Sequence, residues 1–460
     1  MGIQGPQGPP DGPLVARHPD HLPNHCRQPM KTARTTLKLA PLAALLAAGS
    51  AMATDGYFSH GYGMKAKGMG GVATALAQDS FGGANNPASM VWAGSRFDIG
   101  LDWFRPVRSA ERSGAGFATL NGKVDSDSEN FAIPELGYNR MLRDDLSLGV
   151  SVYGNGGMNT NYPQGNFNCG AGPANMLCGS GRLGVDLTQL IVAPTLAYKL
   201  NPQHSVGVSP LLGYQRFKAE GLQAFDNAPG FPPFTGSPGN VTNRGYDSAF
   251  GAGLRVGYMG RLSDAVSIGA AYSSKVSMGK FKKYSGLFAG DGGFDIPSNY
   301  SVGVAFMPTA AWTIALDYGR INYSGIASVG NPSLPVAPLG TANGPGFGWG
   351  DVNVLKIGAA WRVNDSWTLR AGYNRGNNPI SPADVTFNIL APGVMKDHYT
   401  AGFTWATGKD SELTGALMVA PRQSVGGASL FNGVLGAGAA GNETISMRET
   451  SLGLAWSRKF

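Results

Sequence analysis

The chain has 460 residues, of which 42% are hydrophobic and only 14% are charged, and its formal net charge is +7. Soluble globular proteins have about 25% charged residues, so much of this surface is expected to face something other than water. The 10% aromatic content also excludes the composition of a disordered chain.

The N-terminal region has the features of an export signal. Basic residues follow Met30, then an apolar run over residues 39–48, and then the tripeptide Ala51-Met52-Ala53. This order, with an apolar run too short to span a bilayer, is typical of a cleavable signal peptide. We predict a signal peptide at residues 30–53 and a mature chain that begins at Thr54.

Residues 1–29 show no apolar periodicity, and we expect them to be a non-functional extension. Without the first 53 residues the chain keeps 31 Lys and Arg and 27 Asp and Glu, a net charge of +4. No dense basic patch with interleaved aromatics is present, so we expect no nucleic-acid partner.

Residues 54–96 contain the one partly helical pattern of the mature chain. Met64, Met69, Val72 and Leu76 recur at helical spacing, while glycines at 68–71 and 82–83 interrupt the pattern. The stretch Asn85-Asn86-Pro87-Ala88 ends it, because proline cannot continue a helix. We predict a small compact domain here; taken alone, the pattern also fits an ordinary helical cap.

From residue 97 to residue 460 the pattern changes to period 2. Phe97, Ile99, Leu101 and Trp103 alternate with polar or small residues, and similar runs begin near residues 146, 206, 250, 312, 367 and 399. One face of each strand is therefore apolar and the other polar. Aromatic residues at strand ends are typical of the girdles at membrane interfaces.

Short polar links and long loops rich in glycine, proline and asparagine alternate between these strands. About fourteen strands result, with both termini on the side of the short links, as in outer-membrane barrels. We predict an all-β fold, a transmembrane antiparallel β-barrel over residues 97–460 whose lumen is plugged by residues 54–96. A soluble β-sandwich would not combine this loop asymmetry with an export signal.

Two cysteines remain in the mature chain, Cys169 and Cys178, within one of the long loops. An even pair in an oxidising compartment predicts a disulfide. A metal site would need further ligands and no histidine is near, so we predict no metal.

The last strand carries Leu452, Leu454, Trp456 and the terminal Phe460 on one face. Such an ending resembles the signal read by the barrel-assembly machinery, which we expect as a partner. An ordinary edge strand that ends in phenylalanine by chance is the alternative.

Enzyme signatures are nearly absent. No G-x-S-x-G or G-x-x-x-x-G-K-[ST] motif occurs, and a G-x-G-x-x-G match at residues 436–441 lies in a loop between strands. His398 on an inward strand face could serve a barrel lipase, but no serine pairs with it, and a hydrogen bond in the interior is the preferred interpretation. We predict no enzymatic activity and no cofactor.

The order of the cleavage site, the segment GMKAKGMGGVATALAQD, Asn86-Pro87-Ala88, the strands and the terminal phenylalanine resembles the FadL/TodX family. These outer-membrane transporters take up long-chain fatty acids and other hydrophobic compounds, including aromatic hydrocarbons. The resemblance covers Asp55 to Phe460. It implies that residues 54–96 form a hatch inside the barrel, with Asn86, Pro87 and Ala88 as its motif.

The family also has a kinked third strand that opens the wall sideways. Here the third strand reaches Gly154, Asn155, Gly156 and Gly157, and glycines inside a strand often mark a bulge. These four residues are our candidates for a lateral opening. The alternative is a strand that simply runs out into its loop.

Ligand-contacting residues follow partly from family position and partly from alternation. Tyr57 and Phe58 are the pocket candidates near the mature N-terminus, and Arg255 and Arg370 are inward-facing cations suited to a carboxylate. Apolar loop residues are candidates for an external groove: Phe225, Phe231, Phe234, Phe347 and Trp349.

We therefore expect passive uptake of long-chain fatty acids or related hydrophobic compounds across the outer membrane of a Gram-negative bacterium. The expected partners are the hydrophobic ligand and outer-membrane lipid. An aromatic-hydrocarbon importer of the same family is one alternative. A barrel that serves as a scaffold for an adhesin or a phage receptor is the other.

Overall fold

The computed structural model describes residues 1–2, 55–170, 172–227, 233–334 and 337–460. The predicted signal peptide at residues 30–53 and nearly all of residues 1–29 lie outside the described residues, as does Phe231.

Fourteen long antiparallel strands form the wall in the described part of the chain. Each pairs with its neighbours in the sequence, and β1 pairs with β14, so the sheet closes on itself. This confirms the predicted barrel, and closure satisfies the backbone groups that an open edge would expose to lipid. The strands are β1 (Arg96–Ser113), β2 (Phe131–Arg143), β3 (Leu146–Tyr162), β4 (Leu183–Lys199), β5 (His204–Glu220), β6 (Asp247–Arg261), β7 (Val266–Ser273), β8 (Asn299–Thr309), β9 (Trp312–Ile321), β10 (Val352–Arg362), β11 (Trp367–Gly376), β12 (Asp397–Ala406), β13 (Ser411–Ala428) and β14 (Asn442–Lys459).

The apolar face of the strands points outward. On β1, Ile99 and Leu101 are 45% and 52% exposed, whereas Asp98 and Asp102, which flank them, are 1% and 3% exposed. The period-2 alternation of the sequence thus separates a lipid-facing surface from a polar lumen.

Short turns and long loops lie at opposite ends of the barrel. The short turns span residues 144–145, 200–203, 262–265, 310–311, 363–366 and 407–410. The long loops contain the remaining short elements, namely the strands Gly122–Asp125, Phe167–Asn168, Pro173–Ala174 and Ser277–Met278, the 3-10 turns Ala118–Leu120, Gln223–Phe225, Lys282–Tyr284, Tyr323–Gly325, Pro382–Asp384 and Phe387–Ile389, and the helices Ala289–Gly292, Ala327–Gly330 and Asn432–Leu435. We call the two ends the short-turn end and the long-loop end.

A disulfide joins Cys169 to Cys178 in the loop between β3 and β4. None of the helices in the described ranges has the length and hydropathy needed to cross a bilayer.

Residues 55–95, here called the N-terminal segment, precede β1 and are mostly buried. Their regular structure is limited to the helices Met64–Lys67 and Met90–Ala93 and the 3-10 turn Pro87–Ser89. The helix ends at Lys67, just before the glycines that were expected to interrupt the helical pattern, and Gly70 and Gly71 adopt positive φ angles that a helix does not contain. Gly71 also passes so close to the His60 carbonyl that a β-carbon would lie 1.8 Å from its oxygen.

Candidate functional site

The N-terminal segment is bonded to most of the barrel wall from inside. Hydrogen bonds or ion pairs join it to β1, β2, β3 and to every strand from β5 to β13. Two of these contacts are ion pairs: Lys67 lies 2.7 Å from Asp102, and Lys65 lies 2.6 Å from Glu412. These two inward carboxylates of the wall thus have their counter-charges on this segment.

Backbone amides of the segment bind a buried carboxylate on β9. Oδ2 of Asp317 accepts hydrogen bonds from the Ala73 and Thr74 amides, at 2.8 and 2.9 Å, and from the Thr74 hydroxyl at 2.8 Å. The segment is thereby fixed on the side of the barrel formed by β7 to β10.

Asn86, Pro87 and Ala88 form the first turn of the 3-10 helix. The Asn86 side chain accepts from the Ala88 amide at 3.1 Å and donates to the carbonyls of Thr74 and Tyr258 at 2.7 and 2.8 Å. Pro87 follows at the first helical position, which needs no N–H donor. Asn86 therefore caps the 3-10 turn Pro87–Ser89 and also joins this turn to Thr74 of the N-terminal segment and to strand β6.

The third strand continues through Gly154 to Gly157, the candidates for a lateral opening, and forms a bulge there. A register shift lies between Gly154 and Gly156, so Asn155 is the extra residue of the bulge and has no register partner on β4, although its side chain donates to the Gln189 side chain at 3.1 Å. The pairing of β2 with β3 stops at Leu136 and Val152, although β3 continues to Tyr162. Beyond that point these two neighbouring strands separate, which leaves a break in the wall's hydrogen bonding.

The start of the N-terminal segment contacts this bulge. The Gly157 amide donates to the Tyr57 carbonyl at 3.3 Å, and the Tyr62 hydroxyl donates to the Asn155 carbonyl at 2.9 Å. Gly156 forms a bridge with Phe58 and lies so close that a β-carbon would be 1.9 Å from the Tyr57 oxygen. The bulged glycines thus allow the segment to lie against β3.

A small apolar cavity lies beside this contact. Its charged residue is Arg108 of β1, which is 3% exposed and whose Nη1 donates to the Asn159 carbonyl. Its Nε and Nη2 have no hydrogen-bond partner among the described residues. The other lining residues are Tyr57, Phe104, Pro106, Gly157, Met158, Asn159, Trp349, Ala391, Pro392, Gly393 and Met447. This is an arrangement that suits an apolar molecule with an anionic or hydrogen-bond-accepting end.

The structure brings some of the predicted pocket residues together and separates others. Tyr57 lines the Arg108 cavity, and Phe58 packs beside it against Tyr323, with ring centroids 5.9 Å apart. Arg255 donates to the carbonyls of Gly83 and Ala84, so it holds the N-terminal segment.

Arg370 lies elsewhere. It lines a polar cavity at the short-turn end, together with Arg261 and Arg362, and donates to the Thr404 hydroxyl. Sequence reasoning missed Arg108, although its position on the same face of β1 as Asp98 and Asp102 indicated that it points inward.

The predicted groove residues divide between two places. Phe225 and Phe347 line an apolar cavity among the long loops, and Phe234 packs on Phe225 with ring centroids 5.4 Å apart. Trp349 instead lines the Arg108 cavity and donates to the Asn388 side chain at 2.6 Å. A loop cavity and a lumen cavity therefore share one stretch, residues 345–349.

A cluster of titratable side chains lies in the lumen near Arg108. His398 Nε2 is 3.7 Å from Glu449 Oε2, and the His60 and His398 rings stack with centroids 6.0 Å apart. The expected interior position of His398 is thus observed, but the distance exceeds that of a hydrogen bond. The pKa of the His60 imidazole lies well below its usual range, chiefly because the ring is buried. The nearby His398, Lys67 and Lys356 lower this pKa further. No group of three potential metal ligands is found in the described ranges.

Comparison with known families gives one match that spans most of the chain. A family model described as "Outer membrane protein transport protein (OMPP1/FadL/TodX)" matches residues 42–422. A search of curated protein sequences finds no match.

Solved structures with the same fold are found at low sequence identity. The Pseudomonas putida toluene transporter TodX matches with a TM-score of 0.66 and 19% identity, over 87% of this chain and 99% of its own. The Ralstonia pickettii toluene transporter TbuX matches with a TM-score of 0.60 and 17% identity, over 87% and 99%. A Pseudomonas aeruginosa FadL homologue matches with a TM-score of 0.65 and 14% identity, over 88% and 100%.

Proposed function

The chain belongs to the OMPP1/FadL/TodX family of outer membrane transport proteins, and from this premise we propose that it takes up long-chain fatty acids or related hydrophobic compounds by passive transport. The N-terminal segment is the hatch that plugs the lumen in this proposal. Residues 30–53 are its cleaved signal peptide, and the strand that ends at Phe460 is the one read by the barrel-assembly machinery.

The observation that carries the proposal is the Arg108 cavity. Burial of an alkyl chain gains roughly 0.8 kcal/mol per methylene, so an apolar cavity strongly favours the tail of a fatty acid. A guanidinium with two free N–H groups matches the two oxygens of a carboxylate. Arg108 uses Nη1 on the Asn159 carbonyl, and burial of its Nε and Nη2 without a hydrogen-bond partner is costly unless a ligand pairs with them.

The proposed route avoids water throughout. A ligand first binds among Phe225, Phe347 and their neighbours in the long-loop cavity, then passes by Trp349 into the Arg108 cavity. It leaves sideways where β2 and β3 separate, at Gly154 to Gly157, and enters the outer leaflet. Displacement of Tyr57 and Phe58 from the bulge opens this exit.

Aromatic hydrocarbons are the second candidate substrates. Tyr57, Phe104 and Trp349 supply aromatic surface to the cavity, and two relatives in fold are described as toluene transporters. A neutral hydrocarbon has no use for Arg108, whereas a fatty acid does, and we therefore favour the acid. A scaffold for an adhesin or phage receptor would need neither the cavity nor the bulge.

Ligand binding to the purified barrel in detergent tests the proposal. We expect Arg108→Met to weaken dodecanoate binding at least about tenfold, since a charge-assisted pair contributes on the order of 1.5–3 kcal/mol. Toluene binding should stay within about twofold of the parent, a difference under about 0.5 kcal/mol. Arg105→Met on the exposed face of β1 is the matched control, because Arg105 pairs with Glu129 outside the lumen. Equal dodecanoate binding by parent and Arg108→Met would favour the aromatic substrate, and no binding of either ligand would favour the scaffold.

A further inference from the structure

Glu449 lies directly below the cavity that contains Arg108. In the β1–β14 pairing, Arg108 is opposite Met447 and Pro106 is opposite Glu449. Met447 lines the cavity, and Glu449 is the next residue on the same face of β14 toward the short-turn end. Arg108 and Glu449 are therefore diagonal neighbours across the seam, within the reach of long side chains.

These two residues have opposite charges but do not bond to each other. Both carboxylate oxygens of Glu449, both ring nitrogens of His398, and Nε and Nη2 of Arg108 lack a hydrogen-bond partner among the described residues. Glu449 and His398 are 1% and 0% exposed. Buried polar groups are nearly always paired, so this concentration of open donors and acceptors at the edge of a cavity points to a ligand that completes them.

The other charged groups near Glu449 are already balanced. The N-terminal segment contributes Asp55, His60 and Lys67, β10 contributes Lys356, and β13 places the uncharged Ala420 opposite Glu449. Lys67 pairs with Asp102, and Lys356 lies 4.0 Å from Asp55 and donates to the His60 carbonyl. The charge at the cavity floor is therefore set by Arg108, Glu449 and His398.

We propose that Glu449 takes up a proton when a carboxylate ligand binds to Arg108. This rests on the proposed function and adds how the site responds to charge. With Glu449 ionised, a bound carboxylate would place two anions beside one cation in apolar surroundings, which disfavours the charged form of one of them. One proton from solvent forms an O–H bond on Glu449, the ligand keeps its charge on Arg108, and release of the ligand returns the proton.

The coupling distinguishes classes of ligand. An acid binds with the uptake of one proton, so its affinity falls about tenfold for each pH unit through the range in which Glu449 is ionised. A neutral alcohol or hydrocarbon brings no charge and binds without uptake. The position of His398 beside the Glu449 carboxylate makes His398 the alternative proton acceptor, and the experiment separates the two.

Calorimetry of the purified full-length protein in two buffers with different ionisation enthalpies, at one pH, measures the protons taken up per ligand. We expect close to one proton with dodecanoate and none with dodecanol for the parent. Glu449→Gln should bind dodecanoate with no uptake and with an affinity that does not change between pH 6 and pH 8. Glu111→Gln, an exposed position on β1, is the matched control and should behave like the parent.

Each outcome decides the proposal. Heat-modifiable migration on gels establishes that Glu449→Gln forms a folded barrel before binding is measured. Dodecanoate binding without proton uptake by the parent overturns this proposal alone. Uptake that persists in Glu449→Gln and disappears in His398→Gln assigns the proton to the histidine and also overturns it. No dodecanoate binding by the parent overturns the proposed function together with this inference.

Discussion

The ammonium group of Lys67 lies 2.7 Å from Oδ2 of Asp102, and the two side chains are only 5% and 4% exposed. Lys67 belongs to the one-turn helix of the N-terminal segment, and Asp102 is on the inward face of β1. A buried ion pair loses most of its value when one partner is removed, because the other charge stays behind without compensation.

Lys67→Met should therefore destabilise the protein by about 3–5 kcal/mol, measured as the free energy of unfolding in urea and detergent. The double variant Lys67→Met with Asp102→Asn should recover much of this loss, because it removes the orphaned charge. Lys65→Met should cost less, since Lys65 and Glu412 are 11% and 17% exposed. A single variant as stable as the parent would contradict this assignment.

Asn86→Ala should loosen the N-terminal segment and reduce uptake of labelled dodecanoate by cells. The substitution removes three side-chain hydrogen bonds, two of them to the buried carbonyls of Thr74 and Tyr258. The free energy of unfolding should fall by about 1–3 kcal/mol, because the buried carbonyls of Thr74 and Tyr258 lose their donor. Asn85→Ala, which removes the hydrogen bond to the Tyr62 carbonyl, is the neighbouring control. Parental uptake and protease resistance in Asn86→Ala would show that Asn86 does not fix the segment.

Deletion of Asn155 should close the proposed lateral exit. Gly154 and Gly156 pair with consecutive residues of β4, Leu190 and Gln189, so removal of the extra residue restores a regular strand. We expect a folded barrel that still binds dodecanoate but takes it up at least about tenfold more slowly. Such a change in rate corresponds to an activation barrier that is higher by about 1.4 kcal/mol. Deletion of Gly433, in the exposed one-turn helix Asn432–Leu435 of a long loop, is the control. Undiminished transport by the shortened strand would exclude an exit at this place.

Asp79 in the N-terminal segment should make stability depend on pH. Burial raises the pKa of the Asp79 carboxyl to about 6; Asp98 adds to this effect, while Arg96 and Lys65 oppose it. In the unfolded chain the pKa of an aspartate is about 3.9. At pH values between the unfolded and the folded pKa, the folded state therefore holds a proton that the unfolded state has lost. The contribution of Asp79 is thus most favourable below about pH 4 and declines as pH rises through about 6.

Asp79→Asn should remove this dependence. Asparagine can still accept the hydrogen bond that Oδ1 of Asp79 receives from the Phe81 amide at 3.0 Å. The free energy of unfolding, measured in urea, should be higher in the variant than in the parent by up to about 3 kcal/mol at pH 8 and by little at pH 4. Asp365→Asn in an exposed turn should follow the parent at both pH values. A difference between variant and parent that stays constant from pH 4 to pH 8 would refute the prediction.

The wall was predictable because lipid constrains every second residue of a strand, so Ile99 and Leu101 must be apolar whereas Asp98 and Asp102 need not be. The glycines at 68–71 marked where the helix of the N-terminal segment is interrupted, but spacing alone does not show that Gly71 must approach the His60 carbonyl. Arg108 and Glu449 were not predicted as site residues for a different reason. Their relation depends on the register between the first and last strands, which are more than three hundred residues apart in the sequence, and no local pattern encodes that register.

The wide distribution of bonding partners around the N-terminal segment has a consequence for folding. Asp102, Asp317 and Glu412, which bind it, lie on β1, β9 and β13, so its contacts span nearly the whole sequence. Contacts of such separation form late, after the strands between them have been ordered. Residues 55–95 are synthesised before all fourteen strands, so they must wait for their final partners until the last strands are in place, and the β1–β14 seam has to close around them.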